Sequence, residues 1–242
     1  MAWQFDNAGG ASSSTNPNKV SLAVADQPNR VAVIAAGGKQ NDPAPSFSSF
    51  SILGGGAGVD VGVGGAAAFE RTRHGYFLES AFPAGAGTFE FRAHWNTTLD
   101  YGFIAVAVFY NVRQETPVIV ASDADSSAVI AALGAGVLLS AFGGATGGGS
   151  ITTGGTVRAN GASPDVAVAS QDVPSAGNQT MTWAGGVEAA SFMAFRNAVP
   201  IVGPIDLAPT LFAPTTQLLD LAKRLHFRKR NTVLHYPNRK RP

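Results

Sequence analysis

The chain carries four histidines, His74, His94, His226 and His235, and no cysteine, so metal or nucleophile chemistry would have few parts to work with. None of the four stands in an H-x-H or H-E-x-x-H spacing, the patterns that aim two imidazoles at one metal ion. His94 sits in "GTFEFRAHW" beside Glu90 and Arg92, on the polar side of an alternating run. A surface histidine is the plain reading, and contact with a glycan or metal the alternative. "SDADSS", residues 122–127, sets two carboxylates at i,i+2, as a calcium loop begins. The further ligands and the glycine of an EF-hand do not follow, so a solvated turn or helix cap accounts for it. Glu70 and Glu79 are carboxylates of the kind that flank a glycosidic bond, but sequence does not set their separation. There is no G-x-S-x-G nucleophile elbow. In "AAGGKQ", Gln40 stands where a phosphate loop needs Ser or Thr, and "GGGAGVDVGVGG" has no phosphate-cradling register. Turns and close strand packing explain these glycines more simply. Among the aromatic residues, Tyr76, Phe77, Phe82, Trp95, Tyr101 and Trp183 could include a sugar-stacking platform. Most of them must fill a core, which leaves Tyr101, with His94, as the candidate glycan contacts. No catalytic residue, cofactor or metal is expected.

The elements that position these side chains are strands. Apolar residues make up 45% of the 242 and charged residues 14%, a balance that excludes disorder and suits surfaces that cover one another. "KVSLAVAD" alternates with a two-residue period, and "GTFEFRAHW" puts Phe89, Phe91, Ala93 and Trp95 on one face. "YGFIAVAVFYNV" is almost continuously apolar, as a central strand covered on both sides would be. "TPVIVAS", "GVLLSAF", "DVAVAS", "NQTMTWAG" and "EAASFMAFRNA" read as further strands. Glycine, proline and Asn/Asp turns separate them, so residues 18–198 are expected as one all-β body, a jelly-roll-like antiparallel β-sandwich. "SDADSSAVIAALGAG" could instead hold a turn or two of helix. Residues 1–17 read as a small, polar N-terminal arm, with Trp3 and Phe5 to anchor it. Neither a secretory signal nor a transmembrane helix is expected.

Residues 199–242 form a third part. Pro200, Pro204, Pro209 and Pro214 recur every four or five residues and favour an extended strap. "TTQLLDLAKRLHF" then reads as a short amphipathic helix, capped by Thr215 or Thr216, with Leu218, Leu221 and Leu225 on one face. Residues 223–242 hold eight of the 17 Lys and Arg and no acid, so this end is +8 and the remainder −7. A basic tail can meet nucleic acid, a membrane or a protein. The helix is too short and sparsely apolar for firm membrane binding, and an acidic body argues against nucleic acid across its surface. The leucine face argues for a partner groove, with Leu218, Leu221, Leu225 and Phe227 buried and Arg224, Arg228, Lys229 and Arg230 on its acidic rim.

The run "HGYFLESAFPAGAGTFEFRAHWNTTLDYGFIAVAVFYNVRQETPV" resembles a β-sandwich class found among tailed-phage and prophage structural proteins. A small-residue turn precedes a T-F-x-F strand, Thr88–Phe91; a long apolar strand, Tyr101–Val112, closes in an N-V-x-Q-x-x-P loop. "MTWAGGVEAASFMAFRNA" is similar to the closing strands of that class. The resemblance covers residues 18–198, supplies no catalytic residues, and implies a virion structural protein of head, neck or tail, a decoration or spike component. Its expected partners are other virion proteins and copies of itself. The alternatives are a capsid protein whose basic tail binds the genome, and a carbohydrate-binding module for a host surface.

Overall fold

The computed structural model describes residues 1–40, 45–62, 70–122, 127–143, 151–160, 166–184 and 189–199. The chain divides into two units, Met1–Pro200 and Ile201–Pro242. The second lies outside the described residues, and with it the expected strap, helix and basic tail. The strands of the first unit are β1 (Gln4–Ser13), β2 (Asn18–Val24), β3 (Val31–Lys39), β4 (Phe47–Ile52), β5 (Val59–Asp60), β6 (Glu70–Leu78), β7 (Gly87–Trp95) and β8 (Tyr101–Tyr110). They continue with β9 (Val118–Ser122), β10 (Ser127–Ala132), β11 (Gly136–Gly143), β12 (Ile151–Thr153), β13 (Thr156–Asn160), β14 (Val166–Val173), β15 (Gly177–Trp183) and β16 (Ala189–Arg196).

The protein is an all-β stack of four antiparallel sheets. The first half forms an inner sheet, β1-β8-β3-β6-β5, and an outer sheet, β2-β7-β4. The second half forms an inner sheet, β9-β16-β11-β14-β13, and an outer sheet, β10-β15-β12. Adding eight to every strand number of the first half generates the second. Two β-sandwiches of the same strand order therefore stand where the strand spacing suggested one. Strand signals in the sequence are alike in both halves, and only the pairing order separates them.

Burial explains the layering. β3 sends Ala32, Ile34 and Ala36 toward its outer sheet and Val31, Val33 and Ala35 toward the second sandwich. β8 does the same with Ile104, Val106 and Val108 against Ala105, Ala107 and Phe109. β11 splits Leu138 and Phe142 from Val137, Leu139 and Ala141. Strands buried on both faces need continuous apolar runs, which is what "VAVIAA" and "IAVAVF" supply. The outer strands alternate, as β2 does in "NKVSLAV", because one of their faces meets water.

The inner sheets pack with β8 on β14, β6 on β16 and β3 on β11. Since β8 corresponds to β16 and β6 to β14, the first two contacts are one contact made twice. That is the relation of an isologous dimer, here within one chain. The layers approach closely at Gly143, where a Cβ would lie 2.4 Å from Thr72 Cγ2. A polar thread crosses the stack: Trp183 Nε1 donates to Ser140 Oγ (2.8 Å), and Ser140 Oγ donates to the Ser191 carbonyl (3.0 Å). Ser191 Oγ meets His74 Nδ1 at 2.8 Å.

Two local expectations change. Most of the expected polar arm is β1, paired along β8. Its small residues allow this, since a Cβ at Gly9 would meet Leu22 Cδ2 at 2.6 Å. Trp3 and Phe5 do anchor the segment, edge-on to Phe109 with ring centroids 5.8 and 5.7 Å away. Residues 127–132, read as a helical turn, are β10, held by β15 from Ser127↔Thr182 to Ala132↔Gly177. Local helix propensity yields there to the ladder and to burial of Ile130 and Ala132.

Candidate functional site

Five of the six aromatic side chains considered for a platform, Tyr76, Phe77, Phe82, Trp95 and Trp183, are buried, while Tyr101 is 63% exposed. Tyr101 opens β8 opposite Lys39. Beside it Ser12, Ser13, Ser14 and Asp100 line a groove of about 560 Å³. The position is well braced. Asp100 N donates to the Lys39 carbonyl (2.9 Å), and Asn18 Nδ2 donates to the carbonyls of Gly37 (3.0 Å) and Phe103 (3.3 Å). The next residue has to be Gly102, because a Cβ there would fall 2.1 Å from Asn18 Oδ1. On the β1 side, Asn16 Nδ2 donates to the Thr97 carbonyl (3.0 Å) and Asn16 Oδ1 accepts from Trp95 N (3.0 Å). An exposed ring beside hydroxyls and a carboxylate can stack on the C–H face of a sugar and hydrogen-bond its hydroxyls.

His94 lies elsewhere. It stands on the solvent side of β7 with Nε2 2.8 Å from Ser51 Oγ. Burial, and then the Arg92 charge, lowers its pKa. Glu90 bonds Arg92 (2.6 Å) and reaches Lys19 (3.6 Å), and the Arg92 hydrogen bond holds its carboxyl below the usual range. The two candidate glycan contacts are therefore on different sheets, and His94 does not line the Tyr101 groove.

The other candidates resolve as follows. Glu79 is an anchor: it accepts from Arg30 Nε (2.9 Å) and Nη2 (2.6 Å). Arg30 also donates to the Gly85 carbonyl (2.9 Å) and lies over the Phe82 ring at 5.0 Å. That locks the β2–β3 connection to the 3-10 turn Glu79–Ala81 and the loop after it. The side chain of Glu70, residues 123–126, and the docking residues Leu218, Leu221, Arg224, Leu225, Phe227, Arg228, Lys229 and Arg230 lie outside the described residues. Gly37 and Gly38 of "AAGGKQ" belong to β3, with Gly38 pressed on Leu99 and Trp95. No group of three or more His, Asp or Glu suited to a metal occurs among the described residues.

Sequence reasoning passed over Ser12, Ser13 and Ser14, which it placed in a polar arm. No signal in the sequence sets them beside Tyr101, since only the pairing of β1 with β8 does so.

No protein-family model matches the chain, and no curated protein or solved structure matches it.

Proposed function

We propose that the protein is a non-enzymatic structural component of a tailed-phage particle, assembled through residues 199–242. The observation that carries this reading is the division of charge between the two units. Residues 1–200 hold nine Lys and Arg against fourteen Asp and Glu, and residues 201–242 hold eight against two. The units are thus −5 and +6, and the basic end of one copy can be received by the acidic body of another.

Two features of the body support it. Each half has the inner order 1-8-3-6-5 facing 2-7-4, an arrangement that favours a jelly-roll reading with the fifth strand added to the inner sheet. The outer sheet of the second sandwich has no charged residue in β10, β12 or β15, and exposes Val129, Thr180 and Ser127. Such a face is cheap to desolvate against a neighbouring subunit. The outer sheet of the first sandwich instead presents Lys19, Glu90, Arg92 and His94 to water. Deleting residues 215–242 abolishes incorporation into particles while the body keeps its fold; normal incorporation of the truncated chain refutes the reading.

A second reading, a host-surface carbohydrate module, is favoured by the groove at Tyr101. A glycan array probed with the full chain tests it. Signals lost in Tyr101→Ala support it, and a silent array removes it.

A further inference from the structure

Every sheet of the stack ends in two edge strands, whose outward N–H and C=O groups accept another strand unless something blocks them. Most of these edges carry a block. The ladders of β1, β4, β12 and β13 are each broken by a bulge or register shift. β5 is two residues long and includes Asp60, and β2 exposes Lys19. Among the described residues, that leaves β9 and β10, which run in unbroken register with their neighbours and carry no charge. They lie against each other on one side of the second sandwich.

The internal repeat shows what β9 lacks. Its counterpart β1 is covered by the other sandwich: β13 packs along it, with the Arg158 guanidinium 4.7 Å from the centre of the Phe5 ring. The same contact on the far side of the stack falls between β9 and β5, the counterpart of β13, and β5 has only Val59 and Asp60. Ala8 and Ile119 hold equivalent places, since they pair with Ala107 and Met193, each two residues before Phe109 or Phe195. Ala8 packs against the central core, whereas Ile119 is 36% exposed. The larger apolar side chain thus stands at the position that the chain's own strands leave more open, with Ala121 exposed beside it.

We propose that β9 pairs antiparallel with β9 of a second copy, so that the inner sheet of the second sandwich continues across a two-fold axis. The edge calls for a strand, because the groups it leaves open are backbone groups in extended register. A two-fold axis sets the edge against itself, so a charged residue there would face its like. From Thr116 to Ser122 there is none. Pairing centred on Val120 places Ile119 opposite Ala121 of the other copy, a large side chain against a small one. Val118 and Val120 already pack on the core of their own sandwich and stay where they are. Pro117, which has no N–H to give, falls outside the five-residue ladder. The contact uses none of residues 199–242, and it holds whether or not the arm docks or the protein belongs to a particle.

Sedimentation equilibrium of the full chain at about 0.5 M salt, where charge contacts between arm and body are screened, tests the pairing. The expected species is a reversible dimer, twice the 24.8 kDa of the chain. Hydrogen exchange over Val118–Ser122 slows at least tenfold as concentration rises from monomer to dimer, while exchange over β15 does not change. Ile119→Lys and Ala121→Lys each weaken the dimer at least tenfold, and Thr180→Lys, on the outer face of the same sandwich, leaves it unchanged. The exchange measurement needs no substitution, so it decides the matter even if a lysine variant unfolds. A chain that stays monomeric up to its solubility limit overturns the proposal, as does a dimer whose exchange at β9 is independent of concentration. A dimer broken by Thr180→Lys and not by Ile119→Lys also overturns it, and assigns the contact to the outer sheet.

Discussion

His74 makes the two-sandwich body sensitive to acid in a way that can be separated from ordinary acid unfolding. The side chain is fully buried between the inner sheets, with Nδ1 on Ser191 Oγ and Nε2 unpaired. Burial, reinforced by the Arg73 charge, lowers its pKa to about 3. In the unfolded chain the ordinary value, about 6.5, returns. Between these values the unfolded state binds a proton that the folded state refuses, so stability falls as pH drops. The slope is about 1.4 kcal/mol per pH unit, which amounts to about 3 kcal/mol by pH 4. His74→Leu removes this titration while leaving Ser191 Oγ without its partner, a cost of about 1–2 kcal/mol at pH 7. The two stability curves should therefore cross between about pH 5 and 6, with the leucine variant the more stable at pH 4. Urea unfolding of both proteins at half-unit steps from pH 7 to 4 measures this directly. Glu90 and Glu115, whose carboxyls are held low by Arg92 and Arg196, lose stability at lower pH in both proteins and cancel in the comparison. Parallel curves with no crossing would show that His74 is hydrated or charged in the folded state, and the packing of the inner sheets would need revision.

Other outcomes follow from the same contacts. Gly143→Ala puts a methyl against Thr72 and should cost about 1–3 kcal/mol in chemical denaturation, with partial recovery in the Thr72→Ala background. Absence of any penalty would mean the inner sheets stand farther apart at that edge. Arg30→Ala should cost about 2–4 kcal/mol, because Glu79 and the carbonyls of Gly85 and Pro83 lose their donor together. Arg30→Lys should recover little of it, since an ammonium cannot serve Glu79 and two carbonyls from one fork; full recovery speaks for simple charge pairing. Trp3→Ala should loosen β1, breaking the Nε1 bond to Asp172 and the edge contact with Phe109, and hydrogen exchange over Gln4–Ser13 should rise selectively.

Most individual strands were legible in the sequence, and the architecture was not. The period-two runs in β2 and β7, and the continuous apolar run in β8, report how many faces a strand buries. They do not report which sheet lies on the other side. A repeat was there to be seen in "VAVIAAGG" at residues 31–38 and "VLLSAFGG" at 137–144, and in "FYNV" at 109–112 and "FRNA" at 195–198. These pairs fall on equivalent strands, β3 with β11 and the ends of β8 and β16. They are short and apolar, so composition alone nearly accounts for them, and register was needed to give them meaning. β1 was missed because "NAGGASS" has strand length but no side chains to show a period. At the candidate site, the exposure of Tyr101 among aromatic residues that are otherwise core could be anticipated from its place beside a turn. Its groove could not, because the serines that line it come from the end of β1, in the segment read as an arm.

The proposed docking of the basic end on the acidic body of another copy can be measured between the two pieces. A labelled peptide of residues 215–242 is titrated by fluorescence anisotropy with chain 1–199, whose three cores are its own, and separately with duplex DNA at about 0.15 M salt. If the arm docks on protein, the peptide binds the body more tightly than DNA, and alanines at Leu218, Leu221 and Leu225 weaken that binding while leaving DNA binding unchanged. Tight, steeply salt-dependent binding to DNA with none to the body would contradict the claim and assign the tail to nucleic acid.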